Sequence, residues 1–209
     1  MRIVALSDTH GMHELVQVPG GDLLIFAGDC SSQGREPEIQ AFLQWFAAQP
    51  HTHKVMIAGN HDFVFEKNPV KALSMIPPGI HYLNDSGLTI EGLKIWGSPI
   101  SPWFFNWAFN RERGEAIARH WRLIPDETDI LITHGPPAGI LDRTVRGHET
   151  GCKDLLQHIK RVRPKLHIFG HIHEEYGIIR KDGTCFVNAS NADVRYRIRN
   201  APIVIEGYL

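Results

Sequence analysis

Five short blocks of the chain concentrate carboxylate, amide and imidazole groups: Asp8-Thr9-His10, Gly28-Asp29, Gly59-Asn60-His61-Asp62, Thr133-His134-Gly135 and Gly170-His171-Ile172-His173. Such groups are costly to bury unpaired. Yet each block closely follows an apolar run, namely Ile3-Val4-Ala5-Leu6, Leu23-Leu24-Ile25-Phe26-Ala27, Val55-Met56-Ile57-Ala58, Ile130-Leu131-Ile132 and Leu166-His167-Ile168-Phe169. Hard oxygens and borderline nitrogens gathered in this way suit a metal centre. The number of candidate ligands points to two ions.

Residues i and i+2 at a strand end point the same way, so Asp8 and His10 are expected to reach one ion. His171 and His173 repeat the spacing. Carboxylate and imidazole suit manganese, iron, zinc, cobalt or nickel, and the lack of thiolate ligands argues against a structural zinc site. Asp29 stands alone after its strand, and its two oxygens can bridge two ions. Asn60 offers a neutral amide oxygen. That is a weak ligand, one that moderates charge where a bridging hydroxide must stay reactive.

The elements around these blocks follow from periodicity. Ligand sites in open α/β sheets lie beyond the carboxyl ends of the strands, and five apolar runs of strand length precede the five blocks. Residues 36–48 read as an amphipathic helix with Ile39, Phe42, Leu43 and Phe46 on one face, stopped at Pro50. Residues 70–75 form a short helix before Pro77-Pro78, and further helices are expected over 111–121 and 152–162. Residues 81–83 read as a strand, 88–91 and 93–96 as a hairpin around Gly92, and 177–180, 185–187 and 203–205 as short strands near the end. Alternating β and α followed by hairpins fits two packed sheets with helices outside, in a single domain over 1–209.

Composition excludes several classes. With 43% hydrophobic residues and a formal charge of −1, no global field exists for gripping extended nucleic acid or an anionic membrane. The run Lys160-Arg161-Val162-Arg163-Pro164-Lys165 is a candidate basic patch, but reads first as a cationic helix end stopped by proline. The three cysteines, Cys30, Cys152 and Cys185, form no paired motif, so reduced thiols in a cytoplasmic protein are expected. No signal-peptide pattern opens the chain, and no apolar run is long enough to span a bilayer. No feature sets an oligomeric state.

The ordered blocks resemble the calcineurin-like metallophosphoesterases, whose pattern is D-x-H, G-D, G-N-H-[DE], H and G-H-x-H. All five are present, in order, across residues 8–173. Thr133-His134-Gly135-Pro136-Pro137, Trp107-Ala108-Phe109-Asn110, the segment from Arg161 to His167 and Asn188-Ala189-Ser190 resemble the brain-type metallophosphoesterase-domain (MPPED) branch over nearly the whole chain. The resemblance implies a four-layer α/β/β/α sandwich of two mixed sheets and a metal-dependent phosphodiesterase, cyclic nucleotides included. It implies two divalent ions, manganese first among them. Asp8, His10, Asp29 and His173 would hold one, and Asp29, Asn60, His134 and His171 the other. Two ions roughly 3.5–4 Å apart stabilise both attacking and leaving oxygens and activate a bridging water. His61 would then be the general acid, with Asp62 holding its imidazole. Vertebrate members of the branch can carry Gly where this chain has His171, so fuller binding of the second ion is expected here.

Substrate contacts are expected from His61 and Asn60, with His148 and Trp107 as further candidates. His13 and His148 lie near motif loops and could touch phosphate. Eight of the thirteen histidines fall outside the blocks and otherwise read as surface or hydrogen-bonded core residues. The dense aromatic segment 102–109 either walls a pocket or plugs the space between sheet and helix. Residues 147–152 could bind an anion or simply begin a helix. The expected function is hydrolysis of a small phosphodiester or nucleotide. A phosphomonoesterase, a nuclease or a catalytically silent scaffold are the alternatives; metal content separates the scaffold, and a substrate panel separates the enzymes.

Overall fold

Apolar runs and amphipathic segments alternate through the chain, and the computed structural model, which describes residues 1–207, turns them into strands and helices. The order begins β1 (Ile3–Leu6), β2 (Leu23–Ala27), α1 (Glu36–Ala47), β3 (His53–Ile57), α2 (Phe63–Lys67), α3 (Pro69–Met75), β4 (Ile80–Tyr82), β5 (Ser86–Ile90) and β6 (Leu93–Ser98). It continues β7 (Ser101–Pro102), β8 (Asn110–Arg111), α4 (Glu115–Trp121), β9 (Ile130–Thr133), α5 (Lys153–Val162), β10 (Leu166–Phe169), β11 (Gly177–Lys181), β12 (Thr184–Asn188) and β13 (Ile203–Ile205).

The strands form two large mixed sheets. One has the order β13-β1-β2-β3-β4, with β1 to β4 parallel and β13 antiparallel at the edge. The other runs β11-β12-β10-β9-β6-β5, with β12, β10, β9 and β6 parallel and an antiparallel strand at each edge. Ile3, Ala5, Ile25 and Val55 of the first sheet meet Ile95, Ile130, Ile132 and Ile168 of the second in a buried inner core. The alternate residues Val4, Leu24, Phe26 and Met56 face outward beneath Ile39, Phe42, Leu43 and Phe46 of α1. Leu131 and Phe169 do the same beneath Trp121 of α4 and Leu155 and Ile159 of α5. The central strands are buried on both faces, which is why they read as continuous apolar runs rather than as alternation. The result is the α/β/β/α sandwich.

Helix boundaries follow local chemistry. The Glu38 side chain reaches back to the Arg35 amide at 3.2 Å, closing the first turn of α1. Cys152 Sγ accepts from the Leu155 amide at the start of α5, and Arg163 in left-handed backbone ends it. The cationic run 160–165 is therefore a helix end. The start of α5 binds its own chain: the Gly151 amide donates to Asp142 and the Cys152 amide to the Pro136 carbonyl.

Two expectations are corrected. Helix 111–121 begins only at Glu115, because Arg111 pairs in β8 and donates to Glu66. The short helix α2 starts immediately after the third block at Asp62, where no helix is expected from the sequence. All three cysteines are unpaired and buried, and no helix among the described residues is long and apolar enough to cross a membrane.

Candidate metal centre

β1, β2, β9 and β10 end on the same edge of the sandwich, and the blocks that follow them are stitched together by backbone. The Asp8 amide donates to the Gly28 carbonyl at 2.9 Å, and the Gly170 amide to the His134 carbonyl at 3.0 Å. Asp8, His10, Asp29 and His171 then adopt left-handed backbone, with φ of 54°, 44°, 59° and 70°. That conformation is strained for a residue with a Cβ. It corrects the i, i+2 expectation. Asp8 and His10 converge through a turn, and His171 and His173 separate into different groups.

One group of donor atoms comprises Asp8, His10 and His173, and another Asp29, His134 and His171, each within 4.8 Å of one another. In the first, Asp8 Oδ1 lies 3.6 Å from His173 Nε2, which is 3.2 Å from His10 Nε2. In the second, His134 Nε2 lies 2.8 Å from Asn60 Oδ1 and 3.3 Å from Asp29 Oδ2. Asp29 Oδ2 is also 3.9 Å from His10 Nε2 and 4.0 Å from His61 Nε2. It therefore stands between the two groups, as a bridging carboxylate would.

Three of the imidazoles are aimed by their far nitrogens. His134 Nδ1 donates to the Ala27 carbonyl at 3.0 Å, His173 Nδ1 to that of Asp193 at 3.0 Å, and His61 Nδ1 to that of Ser32 at 2.7 Å. Each bond leaves Nε2 facing the cluster.

Charge states match this geometry. Burial would push both buried carboxylates up, but the imidazoles outweigh it: His173 holds Asp8 below the usual carboxylate range, and His134 does the same to Asp29. Burial lowers His10 to about 4 and His171 to about 3, so both rings are neutral with lone pairs free. Burial also pulls on His134, yet the Asp29 carboxylate wins and holds it near 9. Two anions and neutral imidazoles are the donors a divalent cation needs; against burial, Asp8 raises His173 as Asp29 raises His134, so ion binding would displace the protons these two rings favour. The residues present fit two divalent ions.

Close approach at this edge demands glycine. A Cβ on Gly59 would lie 2.2 Å from Asp29 Oδ1, and one on Gly170 would lie 2.1 Å from Asp8 Oδ2. Gly59→Ala is expected to displace Asp29, destabilising the fold by about 1–3 kcal/mol through overpacking and lowering metal content. Thermal unfolding and elemental analysis check this; wild-type values for both would show that the carboxylate has room.

His61 sits on the wall of a cavity of about 280 Å³, stacked against Trp107 with ring centroids 4.2 Å apart. The same cavity is lined by His10, Asp29, Asn60, His171 and His173. Asp62 does not hold the His61 ring, which is a correction; the Ser32 carbonyl does. The buried Asp62 carboxylate instead accepts from the amides of Cys30, Ser31 and Gly59 and from the Ser31 hydroxyl. It is a positioning residue that ties the second block to the third.

Phe104, Phe105 and Trp107 of the aromatic segment line the cavity, whereas Ala108 and Phe109 are buried in the core. His148 is exposed on the loop before α5 and lines no part of the cavity. His13 is buried against Phe42 and Trp45. Sequence reasoning missed Glu174, Val194 and Tyr196, which complete the wall. The first lies one residue past the last block. The other two sit in an arginine-rich loop with no motif to mark them.

Comparison with known proteins agrees with this edge of the fold. The calcineurin-like phosphoesterase family matches residues 1–175. Human metallophosphoesterase domain-containing protein 1 is 41% identical, over 98% of this chain and 70% of its own. A UPF0046 protein of Caenorhabditis elegans is 37% identical, over 98% of this chain and 74% of its own. Among solved structures, phosphopantetheinyl hydrolase from Mycobacterium tuberculosis superposes with a TM-score of 0.62 at 17% identity, covering 93% of this chain and 90% of that one, a likeness of fold alone. With the family match spanning all five blocks and the relatives nearly the whole chain, the protein belongs to the calcineurin-like metallophosphoesterases, in the metallophosphoesterase-domain branch, and is a phosphoesterase.

Proposed function

We propose that the protein is a phosphodiesterase acting on small diesters, cyclic nucleotides among them, with two divalent ions, manganese first, held by Asp8, His10, Asp29 and His173 and by Asp29, Asn60, His134 and His171. One observation carries the preference for diesters: among the described residues no Lys or Arg lines the cavity, while Glu174 does. A monoester brings a second negative charge that no Lys or Arg side chain meets. A diester brings one, which the ions can neutralise. The absence of Lys and Arg from the wall and the formal charge of −1 also disfavour long nucleic acid.

Bound there, the ions supply Lewis acidity toward the phosphoryl oxygens and a nucleophile at neutral pH. The chain's own residues do the rest. The Ser32 carbonyl fixes the proton on His61 Nδ1, so Nε2 is the atom that holds a second proton and releases it to the departing oxygen. The Trp107 ring lies beside that imidazole, its centroid 4.2 Å away and its plane tilted by 31°. The Ala108 amide donates to the Asn60 carbonyl at 3.1 Å, which couples the aromatic wall to the metal-facing block. Buried reduced thiols fit a cytoplasmic setting.

The purified protein loaded with Mn²⁺ is expected to cleave bis(p-nitrophenyl) phosphate much faster than p-nitrophenyl phosphate, with cyclic nucleotides as the next substrates tried. Preference for the monoester would refute the diesterase reading.

A further inference from the structure

Residues 188–197 run on from the last residue of β12 and lie beyond the 1–175 span of the family match. They contain none of the cluster's donor residues, yet they return to it at three points. Ser190 Oγ donates to Asp8 Oδ2 at 2.6 Å, beside a parallel bridge between Ser7 and Ser190. The Asp193 carbonyl accepts from His173 Nδ1. The Tyr196 ring stands 4.8 Å from that of His10 and 5.4 Å from that of His173. All three partners belong to one group of donors. Among the described residues, no hydrogen bond or ring contact joins this segment to Asn60, His134 or His171.

The segment is held in shape by its own charges. The Asp193 carboxylate accepts from the amides of Arg195 and Arg197 at 2.8 and 3.0 Å, and from the Arg197 guanidinium at 2.9 and 2.6 Å. This staple closes a turn in which Tyr196 has φ of 57°, a costly conformation for an aromatic residue. A bridge between Ala192 and Ile198 pins its base. The Asn191 side chain accepts from the Ser7 amide at 3.2 Å, anchoring it to the end of β1.

We propose that residues 188–197 form a positioning clamp for one metal position alone, that of Asp8, His10 and His173, so that the two positions are filled under separate control. Ser190 donates to Asp8 Oδ2 and the His171 amide is shared between Oδ2 at 3.0 Å and Oδ1 at 3.1 Å, which fixes the carboxylate plane with Oδ1 turned toward His173 Nε2. The Asp193 carbonyl fixes the proton on His173 Nδ1 and leaves the Nε2 lone pair available. Outer partners of this kind change metal affinity by about 10–100-fold. The clamp rests on the two-ion reading of the site.

The test is calorimetric titration of the metal-free protein with Mn²⁺, with metal content measured after dialysis. Arg197→Ala breaks the staple at a half-exposed side chain, and Ser190→Ala removes the bond to Asp8. Each is expected to weaken one of two binding events by about 10–100-fold and to leave the other unchanged. In a His134→Ala background, which disables the second position, Arg197→Ala is expected to weaken the single event that remains. Equal weakening of both events, or of neither, overturns the clamp. Should Ser190→Ala fail to fold, Arg197→Ala decides alone. A wild-type chain that takes up one ion only would refute the two-ion reading; the clamp would then stand or fall on whether Arg197→Ala weakens that event.

Discussion

Asp29→Ala is expected to empty both metal positions at once and to lower turnover by at least about 10³-fold, which corresponds to about 4 kcal/mol. Among the described residues, Asp29 Oδ2 is the one carboxylate oxygen within 4.0 Å of both His134 and His10. The other oxygen accepts from the His61 amide at 2.8 Å, so the same carboxylate also sets the loop that carries the acid. Removing it leaves His134 buried without its anion. Asp29→Asn, which keeps the shape and loses the charge, separates the two effects: the loop stays, and the ions go. Elemental analysis after Mn²⁺ loading is the measurement. Loss of a single ion per chain would mean that Asp29 serves one position and bridges nothing.

His61→Ala is expected to leave both ions bound while the rate on alkoxide-leaving substrates falls about 10²–10⁴-fold, or about 3–5 kcal/mol. A nitrophenolate leaving group needs little protonation and should lose much less. His61 Nε2 lies 4.0 Å from Asp29 Oδ2, and its ring forms the cavity wall beside Trp107. His171→Gly provides the contrast. It should lower affinity at the second position and slow good and poor leaving groups alike. Equal losses on both substrate types in His61→Ala, with metal retained, would mean that the imidazole only stabilises charge. Loss of metal in that variant would make it a ligand.

The positions of the donor residues were legible because strand burial and ligand chemistry act locally. A run such as Leu23 to Ala27, buried on both faces, has little alternative to a central strand, and an Asp just after it has little alternative to the sheet edge. Where the side chains point was less legible. The turn at Asp8 and His10 depends on left-handed backbone that propensity does not favour, and the fork between His171 and His173 depends on which neighbouring block each one meets. The His61 partner was misread for the same reason: Asp62 is adjacent in sequence, but Ser32 reaches the ring from the loop after β2. Tyr196 and Asp193 were invisible. They reach the cluster only because β12 pairs with β10 and carries the following loop back across the edge, a register set by contacts far apart in the chain. The Asn188-Ala189-Ser190 motif was the one available signal.

The four left-handed residues at the cluster set fold stability against function. Each such conformation costs of order 1–3 kcal/mol and persists only where the surroundings over-determine it. A bound ion would add to that support, stabilising the folded chain in proportion to the logarithm of its concentration above Kd. A descendant that replaced His171, with its φ of 70°, by glycine would therefore weaken one metal position and shed strain in the same step. Inactivation of this fold need not erode it, and a silenced copy can be the more durable protein when metal is scarce.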